Sequence, residues 1–333
     1  MKNYFLSFIL GSLILSISCT KEKTTIGFML PNMLNKRYEV ERDLFTKKIN
    51  EAGGEILFYS ADNDALLQEK QLDEMLQKGV NLVVLDPVNR FTAAGMVRKL
   101  HNKGIKVISY DRLIANCQPD LFVSFDAHVI GEQMASYAIS KKPYGNYVIL
   151  SGDKSDINAV WMNEGFHKVI DPYVKSGKIK LSYEAYMENW SEDDAYNTMK
   201  KYINYSISVP DVILSANDNI SRGCINIITQ KGYSPENIII TGQGAEPLAC
   251  RYMLQNKQSI SIYKSVKKMA ALVAELSIKI AQGEDIAKIA PTTINNGKFD
   301  IPVIFLETQV VDASNIRSVV VADSMISEKD LEY

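Results

Sequence analysis

Histidine and cysteine are scarce in this chain, three and four among 333 residues, and their scarcity removes much chemistry at once. His101, His128 and His167 stand far apart in helical stretches without partners at metal or triad spacing, so they read as surface residues. Beyond Cys19, in an apolar N-terminal run, only Cys117, Cys224 and Cys250 remain, an odd set with no close pair. That pattern gives neither a disulfide framework nor a zinc site. Small buried apolar residues are expected, with a Cys224 to Cys250 bridge the lesser alternative. An excess of one charge is missing too. The 37 basic and 39 acidic residues leave a net charge of -2, without the basic face that nucleic acid requires. No serine sits in a glycine-flanked elbow, and Gly27, Gly242 and Gly244 form no phosphate-cradling loop. Asp62-Asn63-Asp64 lacks the later glycine and glutamate of a calcium loop and reads as a helix cap. The expectation is no catalytic set, no metal and no cofactor.

One apolar run stands out, from Tyr4 to Ile17, preceded by Lys2 and closed by Ser18-Cys19-Thr20 and the charged Lys21-Glu22-Lys23. It falls short of the roughly 20 residues a membrane span needs, and its layout is that of a secretory signal. Residues 1–19 are therefore expected to be a signal that ends in a lipidated Cys19. The rest would lie in the periplasm or at the cell surface, held to a bacterial membrane by lipid alone.

About 310 residues follow, more than one hydrophobic core usually serves, so two domains are expected. Short β-rich runs alternate with amphipathic stretches throughout: Thr25 to Leu30, then Tyr38 to Ala52; Glu55 to Tyr59, then Leu66 to Lys78; Leu82 to Leu85, then Thr92 to Asn102. Val83-Val84-Leu85 and Val107-Ile108 are apolar on both faces, as buried parallel strands must be. A second series of the same kind begins after Phe125. The fold class is α/β, two doubly wound parallel-sheet lobes joined by a three-segment hinge. Crossings are expected near Phe125, Tyr263 and Phe299. They assign residues 24–125 plus 264–298 to an N-terminal lobe, and 126–263 plus 299–330 to a C-terminal lobe.

Polar and flat side chains collect just past the strand ends, where ligands bind in such architectures. Lys36-Arg37-Tyr38, Tyr110-Asp111-Arg112, Asp153 to Asn158, Asn189-Trp190, Asn217-Asp218, Gln243-Gly244 and Tyr263-Lys264 all occupy such positions. Amides, carboxylates and guanidinium groups match ring hydroxyls that both donate and accept, while aromatic faces suit sugar C–H surfaces.

The runs Lys36-Arg37-Tyr38, Tyr110-Asp111-Arg112, Val123 to Asp126, Pro172 to Lys180, Ala216-Asn217-Asp218, Thr241-Gly242-Gln243 and Ile262-Tyr263-Lys264 resemble the periplasmic D-xylose-binding proteins, type I solute-binding proteins of ABC importers. The resemblance runs from about Thr24 to the C-terminus. It implies that Arg37, Asp111, Arg112, Asn158, Asn217 and Lys264 contact sugar hydroxyls, with Trp190 and Tyr38 as stacking faces. Asp218, Gln243 and Glu246 are further candidates. Tyr38 stands where the family usually carries Trp. The family's Gly-Gln-Asp-Ala-Asp reads Gly242-Gln243-Gly244-Ala245-Glu246 here, so one sugar-binding carboxylate is missing, and water, Glu246 or a different ligand must fill its place. The implied function is binding of a monosaccharide, a pentose such as D-xylose, and delivery to an ABC permease. A sugar-sensing module read by a membrane histidine kinase is the alternative.

Overall fold

The computed structural model describes residues 23–34, 36–206 and 208–332, so Cys19 and the apolar run before it lie outside the described residues. The strands are β1 (Thr25–Leu30), β2 (Glu55–Ser60), β3 (Leu82–Leu85), β4 (Lys106–Tyr110), β5 (Leu121–Phe125), β6 (Gly145–Ser151), β7 (Ile179–Tyr186), β8 (Val212–Ser215), β9 (Ile239–Ile240), β10 (Ser261–Lys264), β11 (Thr292–Asn295), β12 (Asp300–Leu306) and β13 (Thr308–Val311). The helices are α1 (Lys36–Glu51), α2 (Ala65–Gln77), α3 (Ala93–His101), α4 (Ala127–Lys141), α5 (Ile157–Lys175), α6 (Glu192–Tyr205), α7 (Asp218–Gln230), α8 (Pro247–Leu254), α9 (Val266–Ala281) and α10 (Ile286–Ile289).

Two main sheets result. The first runs β11-β12-β5-β4-β3-β1-β2 and the second β7-β6-β8-β9, with β10 and β13 paired antiparallel as a small third sheet. Alternation along β1 shows why the first sheet is buried on both sides. Phe28 stacks on Phe45 of α1 at 4.3 Å and meets Tyr110 edge-on at 5.5 Å, while Met29 joins Leu72, Met75 and Leu85 in the cluster on the opposite face. Cys117, Cys224 and Cys250 are all buried and unbridged, so the lesser alternative of a Cys224 to Cys250 bond does not hold.

The last part of the lobe assignment needs correction. β12 lies parallel to β5 in the first sheet, Val303 opposite Phe122 and Leu306 opposite Phe125, so residues 300–306 belong with the first lobe. The reason is local. Asn296 and Gly297 form a tight hairpin turn, with Asn296 N–H donating to Phe299 O and Gly297 at φ 100°, and a hairpin returns the chain to the sheet it came from. Asn296 Nδ2 also donates to the carbonyls of Ile114 and Cys117, fixing the turn to the loop before β5. The chain leaves the first sheet only between Leu306 and Thr308. The helix Pro247–Leu254 and the strand Thr308–Val311 are absent from the sequence reading, since both are short and lack a clean period.

Strand ends and helix starts meet at one edge of each main sheet because the helices there follow parallel strands, and side chains cap these helices. Asp64 accepts from Leu66 and Leu67 N–H, Asp126 from His128 and Val129, Asp156 from Asn158, and Asn217 from Ile220. On the lobe surfaces, His101, His128 and His167 each pair with a carboxylate, Asp120, Glu164 and Asp171 respectively.

Helix pairs of the second lobe approach closely through glycine. A Cβ on Gly165 of α5 would lie 2.3 Å from His128 O of α4, whereas one on Gly95 of α3 would meet nothing nearer than Arg98 at 3.9 Å. Gly165→Ala is therefore expected to lower stability by roughly 1–3 kcal/mol through overpacking, and Gly95→Ala to raise it by about 0.5–1 kcal/mol through helix propensity. Urea midpoints of the two variants should move in opposite directions.

Candidate functional site

Between the lobes lies a cleft of about 620 Å³. The first lobe lends it Arg37 and Tyr38 from the first turn of α1 and Asp111 and Arg112 from the end of β4; the second lends Asp156 and Asn158 from the start of α5 and Asn189 and Trp190 after β7. Asn217, Gln243, Gly244, Glu246 and Lys264 complete the walls that bear on the sequence reading. The structure thus brings Arg37, Tyr38, Asp111, Arg112, Asn158, Trp190, Asn217, Lys264, Gln243 and Glu246 to one cavity.

Asp218 is the exception among the candidates: it does not line the cleft. It sits behind the wall, 2% exposed, where its carboxylate accepts from Gln258 Nε2 (2.8 Å), Ser261 Oγ (2.8 Å) and the Glu246 N–H (3.1 Å). Burial, with Glu246 nearby, pushes its pKa up to about 6. Its role is to hold the backbone of residues 242–246 in place.

Asp111 organises the floor. Its Oδ2 accepts from Arg37 Nη2 at 2.6 Å, and Lys264 Nζ lies 4.0 Å from its Oδ1. Burial opposes its charge, but Arg37, Lys264 and Arg112 outweigh that and hold the carboxyl well below the usual range. Arg112 does not pair with its neighbour in sequence. Its Nε contacts Asp156 Oδ2 at 3.1 Å and Asp86 Oδ1 at 3.8 Å, and its Nη1 donates to Pro87 O. The Asp156 contact joins the two lobes, as does the 3.0 Å bond from Asn158 Nδ2 to the Asp111 carbonyl.

Backbone strain concentrates here. Asp111, Asn189, Trp190 and Ala245 all have positive φ, at 59°, 53°, 56° and 51°. Such residues persist only where their surroundings over-determine them. Trp190 is further fixed by Gly152, where a Cβ would come within 2.4 Å of the indole ring. The residue at 244 is glycine for a matching reason. Its φ is 128°, and a Cβ there would lie 3.2 Å from Asp218 Oδ2, so a carboxylate side chain at this position would be strained and placed beside a buried acid. Glu246, the suggested substitute, lies 3.7 Å from Arg222 Nη1.

Two carboxylates of this network, Asp86 and Glu41, are absent from the sequence reading, and a third, Asp156, is there only as part of a run. Asp86 follows β3 as Asp111 follows β4, so the strand-end rule itself would have found it. Glu41 is one turn from Arg37 on α1, fully buried, with its Oε1 3.2 Å from Arg37 Nε. Asp156, within the run Asp153 to Asn158, both caps α5 through Oδ1 and meets Arg112 through Oδ2.

A family model described as a periplasmic binding protein domain matches residues 26–285. The chain belongs to the periplasmic binding protein family. Its relatives include the D-xylose-binding periplasmic protein of Escherichia coli strain K12, 29% identical over 331 residues that cover 99% of each chain. Among solved structures, an ABC transporter solute binding protein from Clostridium phytofermentans with bound β-D-glucose superposes with a TM-score of 0.85 at 27% identity, covering 93% of this chain and 100% of that one. The fructose binding periplasmic domain of a hybrid two component system shares the fold, with a TM-score of 0.76 at 21% identity, 92% of this chain and 96% of that domain. The two lobes and their triple connection are the type I form of the periplasmic binding protein fold.

Glu41 gives the site a pH signature. Burial pushes its carboxyl from 4.5 up to about 7, against the pull of Arg37. The folded protein then holds this proton more tightly than the unfolded chain, so the group's contribution to stability falls as pH rises from about 4.5 to about 7 and is level above that. Glu41→Gln should remove this component. Urea unfolding at about pH 5, 6 and 7 is expected to show the wild type losing roughly 1–3 kcal/mol more than the variant over that window.

Proposed function

We propose that the cleft binds a neutral monosaccharide, with a pentose such as D-xylose foremost, and that the chain delivers it to an ABC importer. In this reading the protein works in the periplasm or at the cell surface, tethered through lipid on Cys19, and it binds without turning its ligand over. One observation carries it: charged donors and acceptors of the first lobe (Arg37, Asp111, Arg112) face the amides and indole of the second (Asn158, Asn189, Trp190) across a single cleft. Paired ions present hydrogen-bonding atoms of both kinds without a net field, which suits hydroxyls better than an anion. The relatives agree in chemistry, one named for D-xylose and a solved neighbour holding β-D-glucose.

Arg37, Asp111, Arg112, Asn158, Asn217 and Lys264 are the proposed hydroxyl contacts, with Tyr38 and Trp190 as stacking faces and Gln243 and Glu246 at the margin. Likeness over 93% of the chain to an ABC transporter solute binding protein favours the importer as recipient; the hybrid two component domain leaves a sensor kinase as the outcome to test against.

Calorimetric titration of the chain from Lys21 onward with pentoses and hexoses is expected to give saturable binding of at least one. Arg112→Ala should weaken it by about tenfold to hundredfold, the loss of a charge-assisted bond in a closed site. Absence of binding across the panel would sink the reading.

A further inference from the structure

The C-terminal segment, which no binding role has yet claimed, supplies one wall of the cleft. A helical turn over Arg317–Val321 ends where Ser324 adopts φ 55°, with the Ser324 N–H donating to Val321 O (2.8 Å) and the Met325 N–H to Val320 O (3.2 Å). This left-handed stop turns Met325 and Ile326 to the cleft. The segment is fastened at several points. The Asp323 carboxylate accepts from the hydroxyls of Tyr263 and Ser265, its carbonyl accepts from Lys267 Nζ (2.8 Å), and Arg251 Nη1 donates to Asp330 O (2.6 Å). Tyr263 belongs to β10, whose next residue is Lys264, so the clamp grips the strand that carries a charge of the site. Ile326 is 5% exposed in a cluster with Ala245, Val311 and Val320, and Met325 packs at its edge, half-buried.

The wall so formed differs from the rest of the cleft. Met325 and Ile326 pack with Ala245, and with Gly244 and Pro247 they give the cleft lining an apolar portion in which Glu246 carries the polar side chain of the 244–247 stretch, whereas the floor is built from Arg37, Asp111 and Arg112. A hydroxyl pressed against that wall would lose hydrogen bonds, while a carbon substituent would not.

We propose that Met325, positioned by the Asp323 clamp, is a specificity-determining residue that sets the size of the carbon substituent a sugar can carry into this end of the cleft. The proposal rests on the sugar-binding reading above. D-Xylose, 6-deoxy-D-glucose and D-glucose test it, since they share ring stereochemistry and differ at C5, which bears hydrogen, methyl or hydroxymethyl. In calorimetric titrations, Met325→Ala should raise the affinities of the two larger sugars relative to D-xylose by about tenfold, and Met325→Trp should lower them by a similar factor. Asp323→Ala should move the ratio in the same direction as Met325→Ala and speed amide exchange at residues 324–331. Thermal melts establish that each variant is folded, and Met325→Ala, at a half-buried position, carries the test if Asp323→Ala is not. Ratios that stay constant in Met325→Ala overturn the proposal, including where Met325→Trp abolishes all binding. A wild-type protein that binds sugar with unchanged ratios in Met325→Ala refutes the role of Met325 alone; one that binds none of the three refutes it together with the present choice of ligand, and binding of no sugar in the wider panel removes the sugar reading itself.

Discussion

The Asp111 residue is the junction on which the cleft depends. Its carboxylate anchors Arg37, its carbonyl accepts from Ser124 Oγ (2.8 Å) and from Asn158 across the lobes, and its backbone is held at a φ that ordinary residues avoid. Around it stand the cations Arg37, Arg112 and Lys264 and the carboxylates Glu41, Asp86 and Asp156. Burying such a set is costly unless each charge meets an opposite one, and removing one partner from a buried pair costs about 3–5 kcal/mol because the other is stranded. The carboxylates do not share the burden equally. Asp111 touches two cations and is held ionised, whereas Asp86 has a cation no nearer than 3.8 Å and burial raises its pKa well above the usual range.

That asymmetry separates what the first lobe builds alone from what needs both. Arg37, Glu41, Asp86 and Asp111 all rise from the first lobe, so their contacts survive any movement of the second. The Arg112 contact with Asp156 and the Asn158 bond to Asp111 O do not, because their partners start α5. A hinge opening would therefore break these two polar contacts while those among Arg37, Glu41 and Asp111 stay in place. Since those same groups line the cleft, a ligand that draws both lobes together competes with or supplements contacts already there, and its closing energy is the difference.

Much of this was legible in the sequence. Doubly apolar strands, helix-spaced stretches and polar residues at strand ends follow from periods of 2 and 3.6 and from the rule that open sheets bind at their C-terminal edge. Asp111, Trp190 and Asn217 were reachable that way because each lies within four residues of a strand end, and Arg37 because it opens the helix that follows β1. Glu41 was not: it sits on the helix face that normally faces a core, and only the partner at 3.2 Å explains a carboxylate there. The path of residues 296–307 also escaped. A glycine between two short strands permits either a hairpin or a crossing, and the choice was made by Asn296 reaching the carbonyls of Ile114 and Cys117, a contact spanning some 180 positions. Asp218 shows the converse error. It follows a strand like the others, yet a helix start can direct its acid to the protein behind as readily as to the cleft.

The wall above Asp218 explains why the cleft needs its C-terminal segment. The backbone of residues 242–246 passes so close over the buried carboxylate that a Cβ on Gly242 would lie 2.2 Å from Asp218 Oδ1 and one on Gly244 3.2 Å from Oδ2. Both positions are thereby restricted to glycine, and the second also by its φ of 128°. With no side chain at 242 or 244, this stretch offers a ligand only Gln243, Ala245 and Glu246. Further contact comes from Met325 and Ile326, delivered by a segment whose clamp, Asp323, is tied to the hinge strand. The shape of the cleft at this end therefore follows in part from a buried acid that never reaches it: Asp218 fixes the backbone, the close approach excludes side chains at 242 and 244, and the tail adds Met325 and Ile326 to the wall.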